Sequence, residues 1–177
     1  RDNIFSPYTG SWYQLRALRY WSDEESAFEY DSYAVDLRRY FRLGNGHVLA
    51  FQLYGEARDG IVPFYELPHL GWLRGILESR FRDKWMGIAQ AEYRFGLSTF
   101  RPFGWDMPFS DRLFVNLFAA AGDLSCSAGQ FSLGDLKYSA GFGLRFMVDP
   151  VSRLRIRFDL GLSEYGIYPY FQVNEAF

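Results

Sequence analysis

Apolar and polar residues alternate along most of this chain, and the alternation predicts β-strands. The clearest segment is residues 153–162, which places Leu154, Ile156, Phe158, Leu160 and Leu162 between Arg153, Arg155, Arg157, Asp159 and Gly161. Successive side chains of a strand point to opposite faces, so one face of this strand is apolar and the other polar. The same count predicts eight strands, at about 9–21, 30–43, 47–58, 85–97, 113–122, 136–148, 153–162 and 168–177. We predict one domain over residues 1–177, without helices.

Two all-β architectures fit this alternation, a soluble sandwich and a membrane barrel. The predicted strands run to about 10 to 14 residues, beyond the usual five or six and near the length that a tilted strand needs to cross a bilayer. Their apolar faces are rich in aromatic residues, and their polar faces carry charge at mid-strand, as at Arg155 and Asp159. The pattern favours a transmembrane antiparallel β-barrel of the outer membrane.

The composition points the same way. Aromatic residues make up 20% of the 177 residues, yet 23% are charged and the mean hydropathy is -0.19. A membrane barrel uses aromatics in girdles at both interfaces while it keeps a polar interior. No run of about 18 apolar residues occurs, so no transmembrane helix is predicted.

Candidate chemistry is sparse. The net charge of -2 gives no electrostatic case for a nucleic-acid partner. The single Cys126 cannot form an internal disulfide, and His47 and His69 lie in no metal-spaced cluster. We find no nucleophile motif and no phosphate-binding glycine loop, so the sequence predicts neither an enzyme nor a cofactor.

The longest break in the strand pattern is the connection at residues 59–84. Loops longer than about 12 to 15 residues are usually functional or disordered, and the apolar Trp72, Leu77 and Phe81 favour a packed loop. If the last strand ends in the periplasm, the Asn45-Gly46 hairpin and the turn at 98–110 are periplasmic, and the long loop is extracellular.

Several short motifs carry a family resemblance. In order, they are Pro7-Tyr8-Thr9-Gly10, Val62-Pro63-Phe64-Tyr65-Glu66-Leu67, Leu73-Arg74-Gly75, Ala91-Glu92-Tyr93-Arg94-Phe95, Ser139-Ala140-Gly141-Phe142-Gly143-Leu144-Arg145 and Ala176-Phe177. Each motif alone is weak, but their order and spacing extend over about 5–177. The chain thereby resembles the C-terminal half of the barrel in the BamA/TamA-type outer-membrane protein assembly family, the bacterial surface antigen family.

The resemblance implies a sixteen-stranded barrel whose long loop folds back into the lumen, where the arginine of Leu73-Arg74-Gly75 meets acidic residues. Glu92 lies on the polar face of its strand, as the lumen partner of Arg74 should. The family places a second carboxylate in a Phe-x-Asp-x-Gly pattern on the inner wall. The matching positions here are Phe118, Ala120 and Gly122, so the aspartate is absent unless Asp123 or Asp159 replaces it.

The last predicted strand places Phe171, Val173 and Phe177 on one face. This segment resembles the C-terminal sorting signal that the outer-membrane insertion machinery reads. An ordinary amphipathic strand is the alternative, and both interpretations can hold because both require outward aromatic residues.

Eight strands can close alone, but the interior of such a barrel just holds its own side chains. Here it would also hold the long loop and eight arginines: Arg38, Arg42, Arg58, Arg94, Arg145, Arg153, Arg155 and Arg157. We therefore predict half of a larger barrel, completed by an N-terminal half or by a second chain. The chain begins at Arg1, so we expect a processed mature chain or a piece of a longer one.

The resemblance implies a protein of the outer membrane of a Gram-negative bacterium that acts in envelope assembly or protein insertion through a lateral strand seam. The alternatives are a structural barrel subunit without insertase activity and a passive pore that favours anions. The expected partners are outer-membrane lipids, including lipopolysaccharide, and other outer-membrane or periplasmic proteins.

Overall fold

A computed structural model describes residues 1–21, 28–44, 46–77, 80–97, 112–132 and 134–177. Eight antiparallel strands form one sheet in chain order. The strands are β1 (Gly10–Tyr20), β2 (Tyr30–Arg42), β3 (Val48–Gly60), β4 (Trp85–Gly96), β5 (Leu113–Ser125), β6 (Lys137–Asp149), β7 (Leu154–Ser163) and β8 (Gly166–Val173). Short 3-10 turns occur at Phe64–Glu66, Leu70–Trp72 and Ala128–Gln130. Among these residues, no helix has the length and apolar character to cross a membrane.

The prediction of eight antiparallel strands is confirmed, and most predicted ends lie within about three residues of the observed ones. The sheet is open, because β1 pairs only with β2 and β8 only with β7 in the described part of the chain. The predicted turn residues Asn45 and 98–110 lie outside the described residues.

The two faces of the sheet have opposite character. One face, which we call the apolar face, exposes large apolar side chains on seven of the eight strands, among them Leu15, Tyr33, Leu53, Leu117, Phe142, Phe158 and Phe171. On β4 the same face carries Tyr93, which is half-buried. The other, the polar face, buries charged and amide side chains, among them Asp36, Gln52, Glu92, Arg94, Asn116, Arg145, Arg155 and Asp159. This arrangement inverts the usual distribution in soluble proteins, where charged side chains are almost never fully buried unless paired.

Three segments cover the polar face. The connection from Ile61 to Lys84, which we call the long loop, packs on the middle of the polar face through Leu70, Leu73 and Ile76. Residues 1–9 reach the β6–β7 turn, where Asn3 Nδ2 donates to the Ser152 carbonyl oxygen at 3.1 Å. Residues 174–177, the tail segment, cross toward β2 and β3.

The tail segment corrects the predicted last strand. Phe171 is 71% exposed on the apolar face, but Phe177 is only 3% exposed and packs against Tyr40 and Ala50. The prediction that Phe177 shares the outward face of Phe171 and Val173 is therefore wrong.

The strand ends because Asn174 adopts a left-handed conformation with φ of 73°, which asparagine tolerates better than most residues. The backbone N–H of Asn174 still donates to the Arg155 carbonyl oxygen at 2.7 Å. From there the chain turns onto the polar face. Alternation could not predict this turn, because the residue that follows, Glu175, is buried only through partners on other strands.

Replacing Phe177 with Ala tests the inward tail. We expect the free energy of unfolding to fall by about 3 kcal/mol, because truncating a buried Phe leaves a cavity. The matched variant Phe171→Ala should cost about 1 kcal/mol or less, since its side chain is already exposed. Urea titrations of the two variants give the comparison, and equal losses would contradict the buried position of Phe177.

Candidate functional site

The long loop reaches the sheet through a short helical turn that its own residues define. His69 begins the turn Leu70–Trp72 by accepting a hydrogen bond from Gly71 N at 3.2 Å. Leu73 N and Ile76 N then donate to the carbonyl oxygens three residues earlier, at 2.9 and 3.0 Å. The apolar side chains of this stretch join one buried cluster, made of Leu70, Leu73, Ile76, Met86, Ile88 and Ala120. The loop is therefore held by apolar burial on both sides of Arg74.

Two glycines let the loop backbone lie directly on β7. Gly75 has a φ of 114°, a conformation that side-chain-bearing residues rarely adopt. A Cβ at Gly161 would lie 2.5 Å from the backbone carbonyl carbon of Arg74, a distance at which something must shift. Gly75 N also donates to the Tyr170 hydroxyl at 2.8 Å. This close approach fixes the backbone position from which the Arg74 side chain extends.

The Arg74 guanidinium lies between two carboxylates and an aromatic ring. Its Nη1 donates to Asp159 Oδ2 at 2.9 Å, and its Nη2 donates to Glu92 Oε1. Its central carbon lies 3.6 Å from the centre of the Phe118 ring, within the range of a cation–π contact. The structure therefore places Arg74 against Glu92, the lumen partner that the resemblance implies.

The inner-wall pattern has a different role from the one that the family resemblance implies. Ala120, at the position of the absent aspartate, packs in the apolar cluster of the loop. Gly122 lies beneath the loop, where an added Cβ would be 3.1 Å from Leu73 Cδ1. The second carboxylate comes from Asp159 on β7, while Asp123 pairs with Lys137 Nζ at 3.0 Å.

Six charged side chains form a closed ring around this contact, which we call the ionic ring. In order they are Arg74, Glu92, Arg94, Glu175, Arg145 and Asp159, with Asp159 returning to Arg74. Cations and anions alternate, and each carboxylate lies between two guanidinium groups. All six residues are buried. The ring joins the long loop, β4, β6, β7 and the tail segment.

Distances around the ring differ. Arg94 Nε donates to Glu92 Oε2 at 2.7 Å, and Arg145 Nε donates to Glu175 Oε2 at 3.0 Å. Arg145 Nη1 also donates to Asp159 Oδ1. The widest separation is 3.7 Å, between Arg94 Nε and Glu175 Oε2, which is an ion pair without a hydrogen bond. The hydrogen bonds of the ring join charged donors to charged acceptors, and such bonds are roughly twice as strong as bonds between neutral groups.

Glu175 pairs with three arginines. Besides Arg94 and Arg145, it accepts from Arg155 Nη1 at 2.9 Å, and its Oε1 accepts from the Ser6 hydroxyl at 3.3 Å. Burial by itself raises the pKa of the Glu175 carboxyl, but the three guanidinium groups outweigh burial and hold that pKa at about 2. The three guanidinium groups therefore favour the ionised form of Glu175.

Sequence reasoning identified Arg74 and Glu92 and counted Arg145 among the interior arginines, but it assigned no partner to Arg145 and no role to Glu175 or Gly161. Gly161 lies at a polar position of an alternating strand, which is the only signal that it carries. Glu175 lies beyond the end of its strand and carries no such signal.

No cofactor-type chemistry is visible at the ring. In the parts of the chain that the structure covers, no three His, Cys, Asp or Glu side chains are grouped so that they could hold a metal ion. The ionic ring can hold the long loop against the polar face of the sheet through fixed charges. Removing one member of the ring would leave its neighbours as unpaired buried charges, which is costly.

Comparison with known proteins identifies no family for this chain. No protein-family model matches this chain, and no curated protein matches its sequence. The resemblance to outer-membrane assembly proteins therefore stays a prediction from the short motifs.

Glu175→Gln tests whether the ring acts as one unit. Glu175 does not touch Arg74, yet we expect faster hydrogen exchange at the amides of residues 73–76, because Arg145 would lose an acceptor that orients it toward Asp159. We also expect a loss of about 3 kcal/mol in the free energy of unfolding. The control is Asp123→Asn, which removes a carboxylate paired outside the ring. Unchanged exchange at residues 73–76 in Glu175→Gln would refute the coupling.

The lowered pKa of Glu175 gives a pH dependence. A carboxyl whose pKa is lower in the folded protein stabilises the fold above its ordinary pKa of 4.5 and loses that contribution as the pH falls toward about 2. We expect the unfolding free energy of the wild type to fall more steeply over this interval than that of Glu175→Gln. Parallel curves from denaturant titrations at each pH would argue against the charged ring.

Proposed function

We propose that this chain is half of an outer-membrane β-barrel whose apolar face contacts lipid and whose polar face lines the lumen. The observation that carries the proposal is the inverted burial, in which Arg145 and Asp159 are buried while Leu15 and Leu53 are exposed. Soluble monomers rarely expose contiguous apolar patches larger than a few hundred Å², whereas exposed large apolar side chains recur here on seven of the eight strands. A hydrocarbon surrounding supplies the apolar contact that water cannot.

The open edges support a partner that completes the barrel. In the described residues, β1 and β8 each leave one side without a backbone partner. Unpaired N–H and C=O groups cost several kcal/mol each in lipid, so membrane sheets close on themselves. Eight further strands, from an N-terminal half or from a second copy of the chain, would give the sixteen-stranded barrel that the motifs suggest. Lipids of the outer membrane, including lipopolysaccharide, would surround it.

The proposed activity is envelope assembly through the strand edges. An edge that pairs weakly with its neighbour can accept a strand from a client protein by β-augmentation. The motif resemblance and the loop held by the ionic ring support this role, since the loop fills the middle of the polar face. The alternative is a structural barrel subunit without insertase activity. A barrel that folds but does not insert a client protein would favour this alternative.

Leu53→Arg tests the membrane placement. Leu53 is 57% exposed at the middle of β3, and an arginine on a lipid-facing strand costs about 2 to 4 kcal/mol at the bilayer midplane. We expect this variant to fold poorly into lipid vesicles, as measured by heat-dependent gel mobility. Val151→Arg, at a position 92% exposed in the β6–β7 turn, is the matched control and should fold normally. Equal yields would exclude a lipid-facing apolar face.

The partner and the activity need separate measurements. The mass of the folded assembly in detergent distinguishes a closed pair of copies from a single chain. Reconstituted insertion of a client barrel into vesicles then tests the assembly role. Normal folding without insertion would favour the structural subunit.

A further inference from the structure

A cavity of about 510 Å³ lies beside the ionic ring, between the long loop and β8. Trp72 and Ile76 of the loop line one side, Tyr170 and Gln172 of β8 line the other, and Gln90 and Arg157 also contribute. Arg74 is the second cation in the lining, and the lining contains no Asp or Glu. The cavity is therefore polar and positive, which is unusual for a pocket in a small domain.

Arg157 lacks the partners that its neighbours have. It is 7% exposed, and its Nη2 donates to the Gln172 side-chain carbonyl oxygen. Among the described residues, its Nε and Nη1 find no hydrogen-bond acceptor. Nη1 lies 3.6 Å from Asp159 Oδ2, too far for a hydrogen bond. A buried charged donor left in this state costs more than a neutral one.

Asp159 cannot neutralise Arg157 by itself. Its two oxygens already accept from Arg74 and Arg145 in the ionic ring. Arg157 also lies directly opposite Arg145 in the β6–β7 register, and like charges in that position destabilise a sheet.

The charge balance around the ring is positive. The ring contains three guanidinium groups and three carboxylates, and it is neutral. Arg155 shares Glu175 and Arg157 shares Asp159, so these two arginines add two positive charges without adding an anion. Of these two charges, only the one on Arg157 lines the cavity.

We propose that the cavity binds a small oxyanion, a phosphate or carboxylate group, through Arg157. Guanidinium N–H groups match the geometry of both oxyanions. Gln172 is exposed, so its neutral amide can rotate away from Arg157. Arg157 Nη2 can then donate to a charged acceptor instead. The cavity opens on the polar face, opposite the apolar face, and this location favours a soluble anion over a lipid headgroup.

The site follows from residues of the polar face and does not depend on lipid contact at the apolar face. It also differs from a passive anion pathway, because it requires one saturable binding position at one arginine. Failure of vesicle insertion by the chain would leave the cavity and its charge unchanged.

Titration of the folded chain with inorganic phosphate tests the site, with heat release measured in detergent solution and chloride as the reference anion. We expect saturable binding of phosphate and weaker binding of chloride, which offers one charge without several acceptor oxygens. Arg157→Gln should weaken phosphate binding by about tenfold or more, the effect of losing a hydrogen bond to a charged group. Heat-dependent gel mobility of each variant verifies folding.

Two further variants keep the test sharp if Arg157→Gln folds poorly. Arg153→Gln removes the same charge from the residue just before β7, where Arg153 pairs with Asp2 at 2.7 Å outside the cavity, and should leave phosphate binding unchanged. Gln172→Ala removes the competing amide and should preserve or tighten binding. Absence of saturable binding in the wild type, equal weakening by Arg153→Gln, or loss of binding in Gln172→Ala would each overturn the proposal.

Discussion

The ionic ring is the interaction on which the rest of the polar face depends. Six charged groups are removed from solvent together, and each carboxylate compensates two guanidinium groups. A buried ion pair contributes little net stability relative to apolar residues, but breaking one is costly because it leaves an unpaired charge. The ring therefore fixes an arrangement more than it adds to stability. It fixes the long loop, three strands and the tail segment relative to one another.

The ring is possible because the sheet buries its polar side. The long loop brings an apolar cluster around Leu73 to that side, and this cluster excludes water next to Arg74. Low local polarity strengthens each ion pair and raises the cost of any unpaired group. The same geometry leaves the apolar face uncovered, which is the physical basis for placing it in lipid.

The second carboxylate at Arg74 comes from a different strand from the one that the motif resemblance implies. Arg74 needs two acceptors, and the inner wall of β5 offers Ala120 where an aspartate would serve. Asp159 reaches the same guanidinium from β7, because Gly161 lets the loop backbone lie against that strand. Asp159 then also binds Arg145, so the substitute carboxylate draws β6 into the ring.

The sequence by itself determined the eight strands and their two faces, because alternation is a local property that each strand carries alone. The pairing of Arg74 with Glu92 came from the motif resemblance, and alternation added only that Glu92 lies on the polar face. Only the tertiary structure decided that Asp159 rather than Asp123 meets Arg74, that Glu175 closes the ring and that Phe177 turns inward. The contact between Arg74 and Asp159 joins residues 85 positions apart, and the contact between Tyr40 and Phe177 joins residues still further apart. Their partners are set by strand register and loop path, and neither is encoded in the alternation of a single segment.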